Sequence, residues 1–207
     1  MIEFFFDCSS PWTYIAFRNI QPLAKELKAD IVWKPVLVGG IFNSANKNVY
    51  AAREDMNSAR NRYILKDVQD NARAAGLHIV FPPKVFPVNS VKAMRGCLWI
   101  AQDATAKGKY VAFIEATFAA YFTREEDISQ DAVLQAICTQ VGIDAAAFMQ
   151  GITRPDIKEQ LKSNTDEAIA RGAFGVPTFF IGEDMYFGND RLALVRSAWL
   201  GGFRQRA

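Results

Sequence analysis

The sequence predicts an α/β chain in which a β-α-β unit and a β-β-α unit are separated by a long run of helices. Three observations carry that expectation. An aromatic strand at residues 2–7 runs straight into turn formers and a helical periodicity; residues 53–168 carry long helical periodicities with few strand signals; and strand language returns at 178–181 and 185–187. At 207 residues the chain is long for one domain and short for two independent cores, so one domain with an insertion fits as well as two domains.

The elements follow in order. IEFFFD, residues 2–7, is dense in aromatic and β-branched side chains, which suit a buried strand. Ser10-Pro11 then starts a helix, because a Ser hydroxyl accepts an N-terminal amide and Pro lacks the N–H that the first turn leaves unused. Trp12, Ile15, Ala16, Ile20, Leu23 and Leu27 recur at helical spacing, with Lys25, Glu26 and Lys28 on the other face. IVWKPVLV, residues 31–38, is apolar throughout, as expected of a strand pairing in parallel through that helix. Helices are expected at 57–75, 90–107, 110–121, 129–141 and 155–170, broken by FPPKVFP at 81–87, TREED at 123–127, and Gly142, Gly151 and Pro155. Gly182-Glu183-Asp184 splits a hairpin, and residues 188–202 form a last helix started by Asn189 or Asp190 and stopped by Gly201-Gly202. That order is the plan of a thioredoxin-like domain with a helical insertion: residues 1–40 and 171–207 form the discontinuous thioredoxin-like domain and 41–170 the inserted helical domain.

Half the residues are hydrophobic and 13% aromatic, which excludes a disordered chain. A formal charge of +2, from 24 basic and 22 acidic residues interspersed, gives no footprint for nucleic acid or an anionic membrane. No stretch approaches the ~20 apolar residues of a membrane span, and the opening MIEFFFD is unlike a secretory leader. Cys8, Cys97 and Cys138 show no CxxC or metal spacing. A cytoplasmic protein is therefore expected, with those cysteines packed and inert. No metal is expected. His78, the single histidine, reads as a partly buried, satisfied side chain rather than a catalyst.

Two motifs carry chemistry. Val176-Pro177-Thr178 stands just before the hairpin, where a thioredoxin-like order calls for a cis-proline; Pro177 has no N–H, leaving the Val176 backbone to pair with an extended peptide. Ser10-Pro11-Trp12-Thr13 would face it at the positive end of the first helix, which favours a thiolate. Ser10 and Thr13 occupy the positions where a disulfide oxidoreductase has Cys, so dithiol chemistry is excluded there. Ser10 alone is also explained as a helix cap. Gly188-Asn189-Asp190-Arg191 reads either as a capped helix start or as a clamp for the amino-acid-like end of a ligand.

FFFDCSSPWTY, LVGGIFNSANKN, RNRYILKDVQDNARAAGL, FPVNSVKAMRG, FGVPTFFIG and MYFGNDRL, in this order, resemble the 2-hydroxychromene-2-carboxylate isomerases of the kappa-class glutathione transferase and DsbA-like family. The resemblance implies a homodimer that uses glutathione, with Ser10 holding the thiolate, Val176 beside Pro177 pairing with the tripeptide backbone, and Asn189 and Asp190 binding its γ-glutamyl end. It implies Asn46, with Asn43 and Asn48 close in register, and Arg60 and Lys47 as substrate contacts. Trp12 and Phe42 are candidate aromatic walls, or ordinary core. Departures from the family pattern fall at Cys8 and Ala45.

The implied reaction interconverts 2-hydroxychromene-2-carboxylate and trans-o-hydroxybenzylidenepyruvate, in naphthalene-type aromatic catabolism, with glutathione added and expelled. A kappa-class-like transferase conjugating small electrophiles is the first alternative. A non-catalytic thioredoxin-like peptide-binding protein is the second.

Overall fold

The computed structural model describes residues 1–51 and 58–202. Residue 57, where one expected helix begins, and residues 203–207 of the expected discontinuous domain lie outside the described residues.

Strand β1 (Ile2–Phe6) pairs in parallel with β2 (Ile31–Pro35), from Ile2 opposite Ile31 to Phe6 opposite Pro35, and α1 (Pro11–Leu27) makes the crossover. Strand β3 (Thr178–Ile181) returns antiparallel to β1, and β4 (Asp184–Phe187) forms the hairpin with it. The sheet order is β2-β1-β3-β4. This is the predicted thioredoxin-like α/β arrangement. Between the two halves lie α2 (Val38–Ala45), α3 (Asn48–Ala51), α4 (Ala59–Ala74), α5 (Val91–Gln102), α6 (Tyr110–Phe122), α7 (Asp131–Val141), α8 (Ala145–Gly151) and α9 (Pro155–Ala170); α10 (Leu192–Trp199) follows the hairpin.

Alternation along β1 builds two cores. Phe4 and Phe6 point to one face, where Phe4 stacks on Phe179 at 4.8 Å between ring centroids. That core continues through Tyr14 and Phe17 of α1 to Phe118 and Phe122 of α6, with the Tyr14 and Phe118 rings stacked nearly parallel at 4.8 Å. Phe5 points to the other face, among Val36, Ile41, Ala168, Val176 and Phe180. Burying each such phenyl ring contributes roughly 1.5–3 kcal/mol, an upper bound because an unfolded chain already hides some of it.

Four expectations are corrected. The second strand stops at Pro35 rather than running to residue 38. Its amides leave the sheet because side chains capture them: Leu37 N–H donates to Thr165 Oγ1 at 3.1 Å and Val38 N–H to Asp7 Oδ2 at 2.9 Å, and Val38 begins α2. The helix expected to reach residue 107 ends at Gln102, where Asp103 Oδ1 accepts the Thr105 and Ala106 amides and closes a turn. The last helix begins at Leu192, after a 3₁₀ turn Asn189–Arg191, with no side-chain cap from Asn189 or Asp190. His78 is exposed rather than partly buried; its carbonyl accepts from Thr123 Oγ1 at 2.7 Å. Helix α8 was not expected, although Asp144 followed by three alanines is a capping signal, and the Asp144 carboxylate accepts the Ala146 and Ala147 amides.

Candidate functional site

The turn between β1 and α1 forms the floor of the site. Ser10 has extended backbone angles, φ −103° and ψ 123°, and its Oγ accepts the Thr13 N–H at 3.2 Å, as an N-cap should. Its hydroxyl donates in turn to the Val176 carbonyl at 3.5 Å. The Val176–Pro177 peptide is cis, as expected from the sequence, and Gly188 N–H donates to the Pro177 carbonyl at 3.0 Å. Thus the first turn of a 17-residue helix and the loop entering β3 face one another.

A cleft of about 810 Å³ opens over this junction. Of the sequence-predicted residues, Ser10, Trp12, Asn46, Arg60 and Val176 line it, as does Phe42. Asn46 Nδ2 donates to the Phe174 carbonyl at 3.3 Å, tying the end of α2 to the loop before Val176. Trp12 is half-buried, packed against the core and also on the cleft lining.

Lys47, Pro177, Asn189 and Asp190 are not on the cleft lining. Lys47 is exposed after α2, and Pro177 is buried beside the lining. Asn189 Nδ2 donates to Asn71 Oδ1 at 3.1 Å, clasping α4, and Asp190 pairs with Arg191.

Several lining residues escaped sequence reasoning. FPPKVFP, read only as a turn, carries cis peptides at Phe81–Pro82 and Phe86–Pro87 and sets Phe81 and Phe86 edge-on at 5.2 Å in the wall. Phe174 and Phe187, with centroids 4.4 Å apart, form the opposite wall. Asn61 stands beside Arg60 at the start of α4. Asp7, Ser9 and Ser90 also reach the cleft. A carboxylate directly after an apolar strand was the available signal for Asp7.

Asp7 is 1% exposed. Burial raises its pKa above the ordinary carboxyl value, opposed by the amides of Val38 and Ser9 and the hydroxyls of Ser90 and Ser9. Next to it, burial pushes the Cys8 thiol well up, with smaller contributions in the same direction from Cys97 and from the charge of Asp7. Cys8, Cys97 and Cys138 are all free and buried, as expected of packing cysteines. Among the described residues no cluster of three or more His, Cys, Asp and Glu could hold a metal ion, and no helix is long and apolar enough to cross a membrane.

The geometry suits holding an anion at α1, opposite a backbone edge, within apolar walls and near one arginine. Comparison with known proteins fixes the lineage, because residues 1–199 match the DSBA-like thioredoxin domain. The chain belongs to this family. Within it, a Pseudomonas putida protein named 2-hydroxychromene-2-carboxylate isomerase is 28% identical over 198 residues, covering 96% of this chain and 93% of that protein. Human glutathione S-transferase kappa 1 is 25% identical over 217 residues, covering 97% and 92%. A solved structure of a 2-hydroxychromene-2-carboxylate isomerase superposes with a TM-score of 0.77 at 25% identity, over 99% of this chain and 96% of that one. The DsbA-like family thus carries the resemblance seen in the six sequence tracts, and its isomerase and transferase members are similar along nearly the whole chain.

Proposed function

We propose that the protein is a glutathione-dependent isomerase that interconverts 2-hydroxychromene-2-carboxylate and trans-o-hydroxybenzylidenepyruvate, working as a cytoplasmic homodimer. The observation that carries this reading is the Ser10 hydroxyl, held at the N-terminal end of α1 and across from the Val176 carbonyl, inside a cleft that also contains Arg60 and aromatic walls.

The residues fit glutathione. A hydroxyl donor at the positive end of a long helix suits a thiolate, and the Val176 backbone suits the edge of a short peptide. When bound, glutathione would supply the nucleophile that the buried cysteines of this chain do not. Ser10 has a donor to offer, because its bond to Val176 is long at 3.5 Å and a short rotation redirects the proton to a sulfur. The Thr13 amide keeps Oγ in position meanwhile. Arg60 would hold the substrate carboxylate, with Asn46 at the same wall and Lys47 approaching from outside the lining. Trp12, Phe42, Phe81 and Phe86 would stack against the fused ring. Asn189 and Asp190 would meet the γ-glutamyl end only if it extends past the cleft toward α10.

The similarity to a kappa-class transferase supports a second reading, in which the same residues serve conjugation of a small electrophile. Mixing protein with 2-hydroxychromene-2-carboxylate, with and without catalytic glutathione, separates the two. Rapid conversion with glutathione undiminished is the expected result. One glutathione consumed per turnover favours the transferase, and no reaction in either case removes the isomerase reading.

A further inference from the structure

Thr13 stands in the first turn of α1 and is fully buried, yet its Oγ1 has no hydrogen-bond partner among the described residues. The other threonines behave differently. Thr117, Thr139 and Thr165 each donate to the carbonyl four residues back, at 2.8, 3.0 and 2.8 Å, and Thr105, Thr123, Thr153 and Thr178 find acceptors as well. Thr13 has no such helical carbonyl, because the residue four back is Ser9, outside the helix. A buried hydroxyl without a partner costs free energy, so its retention calls for a reason.

Helical side chains tilt toward the N-terminus, which leans that of Thr13 back over the first turn toward Ser10. Side chains at the N-cap and at the third helical position are close enough to bond each other's amides reciprocally. Half of that exchange is present: Thr13 N–H donates to Ser10 Oγ at 3.2 Å. The other half is taken, because Ser10 N–H donates to the Asp7 carbonyl at 3.2 Å. A serine oxygen accepts two bonds, and that of Ser10 has the Thr13 amide as one donor and no second among the described residues. An idle donor therefore lies behind the hydroxyl that faces the cleft, and one acceptor position of that hydroxyl is open.

We propose that Thr13 is a positioning residue of the thiolate site: when the Ser10 hydroxyl turns from the Val176 carbonyl to a bound sulfur, the Thr13 hydroxyl donates to the open lone pair of Ser10 Oγ. Rotation about the Ser10 Cβ–Oγ bond moves the lone pairs together with the proton, so the turn that aims the proton at the sulfur also re-aims the acceptor position. With two donors on its oxygen, the Ser10 O–H is more polarised and bonds the anion more strongly, as chained hydrogen bonds do in a low-dielectric site. The hydroxyl that is unsatisfied in the free protein is satisfied in the complex, so binding gains what the empty site lacks. Thr13 acts through Ser10 and need not touch the ligand, in keeping with its place behind the cleft lining.

The inference rests on the proposed use of glutathione, and its test separates the two. The pKa of protein-bound glutathione is read from thiolate absorbance in the wild type, Thr13→Val, Thr13→Ser, Ser10→Ala and the double variant Ser10→Ala/Thr13→Val. Asp7 and Arg60, the charged groups on the cleft lining, are the same in all five. Thr13→Val, which keeps the shape and loses the hydroxyl, should raise the bound thiol's pKa by roughly 0.2–0.6. Thr13→Ser should restore the wild-type value. In the Ser10→Ala background Thr13→Val should add nothing, because its effect passes through Ser10. Without glutathione, Thr13→Val should raise the urea midpoint, since it removes an unpartnered hydroxyl from the interior. An unchanged thiol pKa in Thr13→Val, or an equal shift with Ser10→Ala present, overturns the role of Thr13 and leaves the glutathione site standing. A lowered midpoint overturns it too, since the hydroxyl would then be bonded in the free protein. Absence of any thiolate in the wild type overturns both readings.

Discussion

The Ser10 hydroxyl donates to the Val176 carbonyl, joining a turn and a loop that are 166 positions apart in the chain. The same oxygen accepts the Thr13 amide, so one side chain both caps α1 and faces the cleft. Ser10→Ala removes both roles, and they are separable. Loss of the cap should cost about 0.5–2 kcal/mol in denaturant unfolding. Loss of a donor aimed at developing charge should lower the isomerisation rate about 10²–10³-fold, and it should raise the pKa of the bound glutathione thiol in an absorbance titration. The same thiol pKa in both proteins would exclude Ser10 from holding the thiolate.

Arg60 is exposed at the first turn of α4 yet lines the cleft, which suits attracting a carboxylate more than driving the chemistry. Arg60→Ala should raise KM for the substrate about two- to fivefold and leave kcat nearly unchanged, the size expected of an exposed ion pair. Because salt screens such a pair, the gap between wild type and variant should narrow at high ionic strength. Steady-state kinetics at two salt concentrations checks it, and a drop in kcat with KM unchanged would contradict this role.

What the sequence revealed was what neighbouring residues decide. Ser10-Pro11 starts a helix through its own hydroxyl and its own missing amide, and Gly182-Glu183 turns a hairpin between two apolar runs, so both were legible. Strand β2 was read too long because Leu37 and Val38 give their amides to Thr165, far along the chain, and to Asp7. Helix α2 was hidden by Gly39 and Gly40, poor helix formers in isolation. The same limit applied at the site. Ser10, Asn46, Arg60 and Val176 come from tracts with a recognisable pattern, whereas the meeting of Asp7 with Ser90 and the commitment of Asn189 to Asn71 are contacts between distant elements.

Burial holds the Cys138 thiol up at about 12, against 9.0 for an exposed cysteine, and pushes Cys8 up as well. The folded chain therefore keeps protons that the unfolded chain gives up above about pH 9. The sign follows: these groups leave stability intact below pH 9 and subtract from it as pH rises toward 12. The urea midpoint of the wild type should fall more steeply between pH 9 and 10 than that of Cys138→Ala. All three thiols should stay unreactive toward a disulfide reagent until the protein unfolds. A thiol that reacts rapidly in the native protein would show that the packing around it is looser than described.

Gly151, at the end of α8, faces Trp99 so closely that an added Cβ would lie 2.2 Å from the indole ring. Trp99 is 5% exposed and packs edge-on against Phe148 at 5.8 Å, so the ring has no open space into which to move. Gly151→Ala should therefore destabilise the protein by about 1–3 kcal/mol, the usual cost of overpacking. Gly108, in the turn before α6, offers the opposite case, because a Cβ there meets nothing within 4 Å and its φ is not positive. Gly108→Ala should stabilise by about 0.4–1 kcal/mol, by removing freedom from the unfolded chain. Denaturant midpoints of the two variants, measured together, test whether α8 packs on α5 as tightly as the structure has it: the same chemical change should shift them in opposite directions, and a neutral Gly151→Ala would mean that the Trp99 ring can yield.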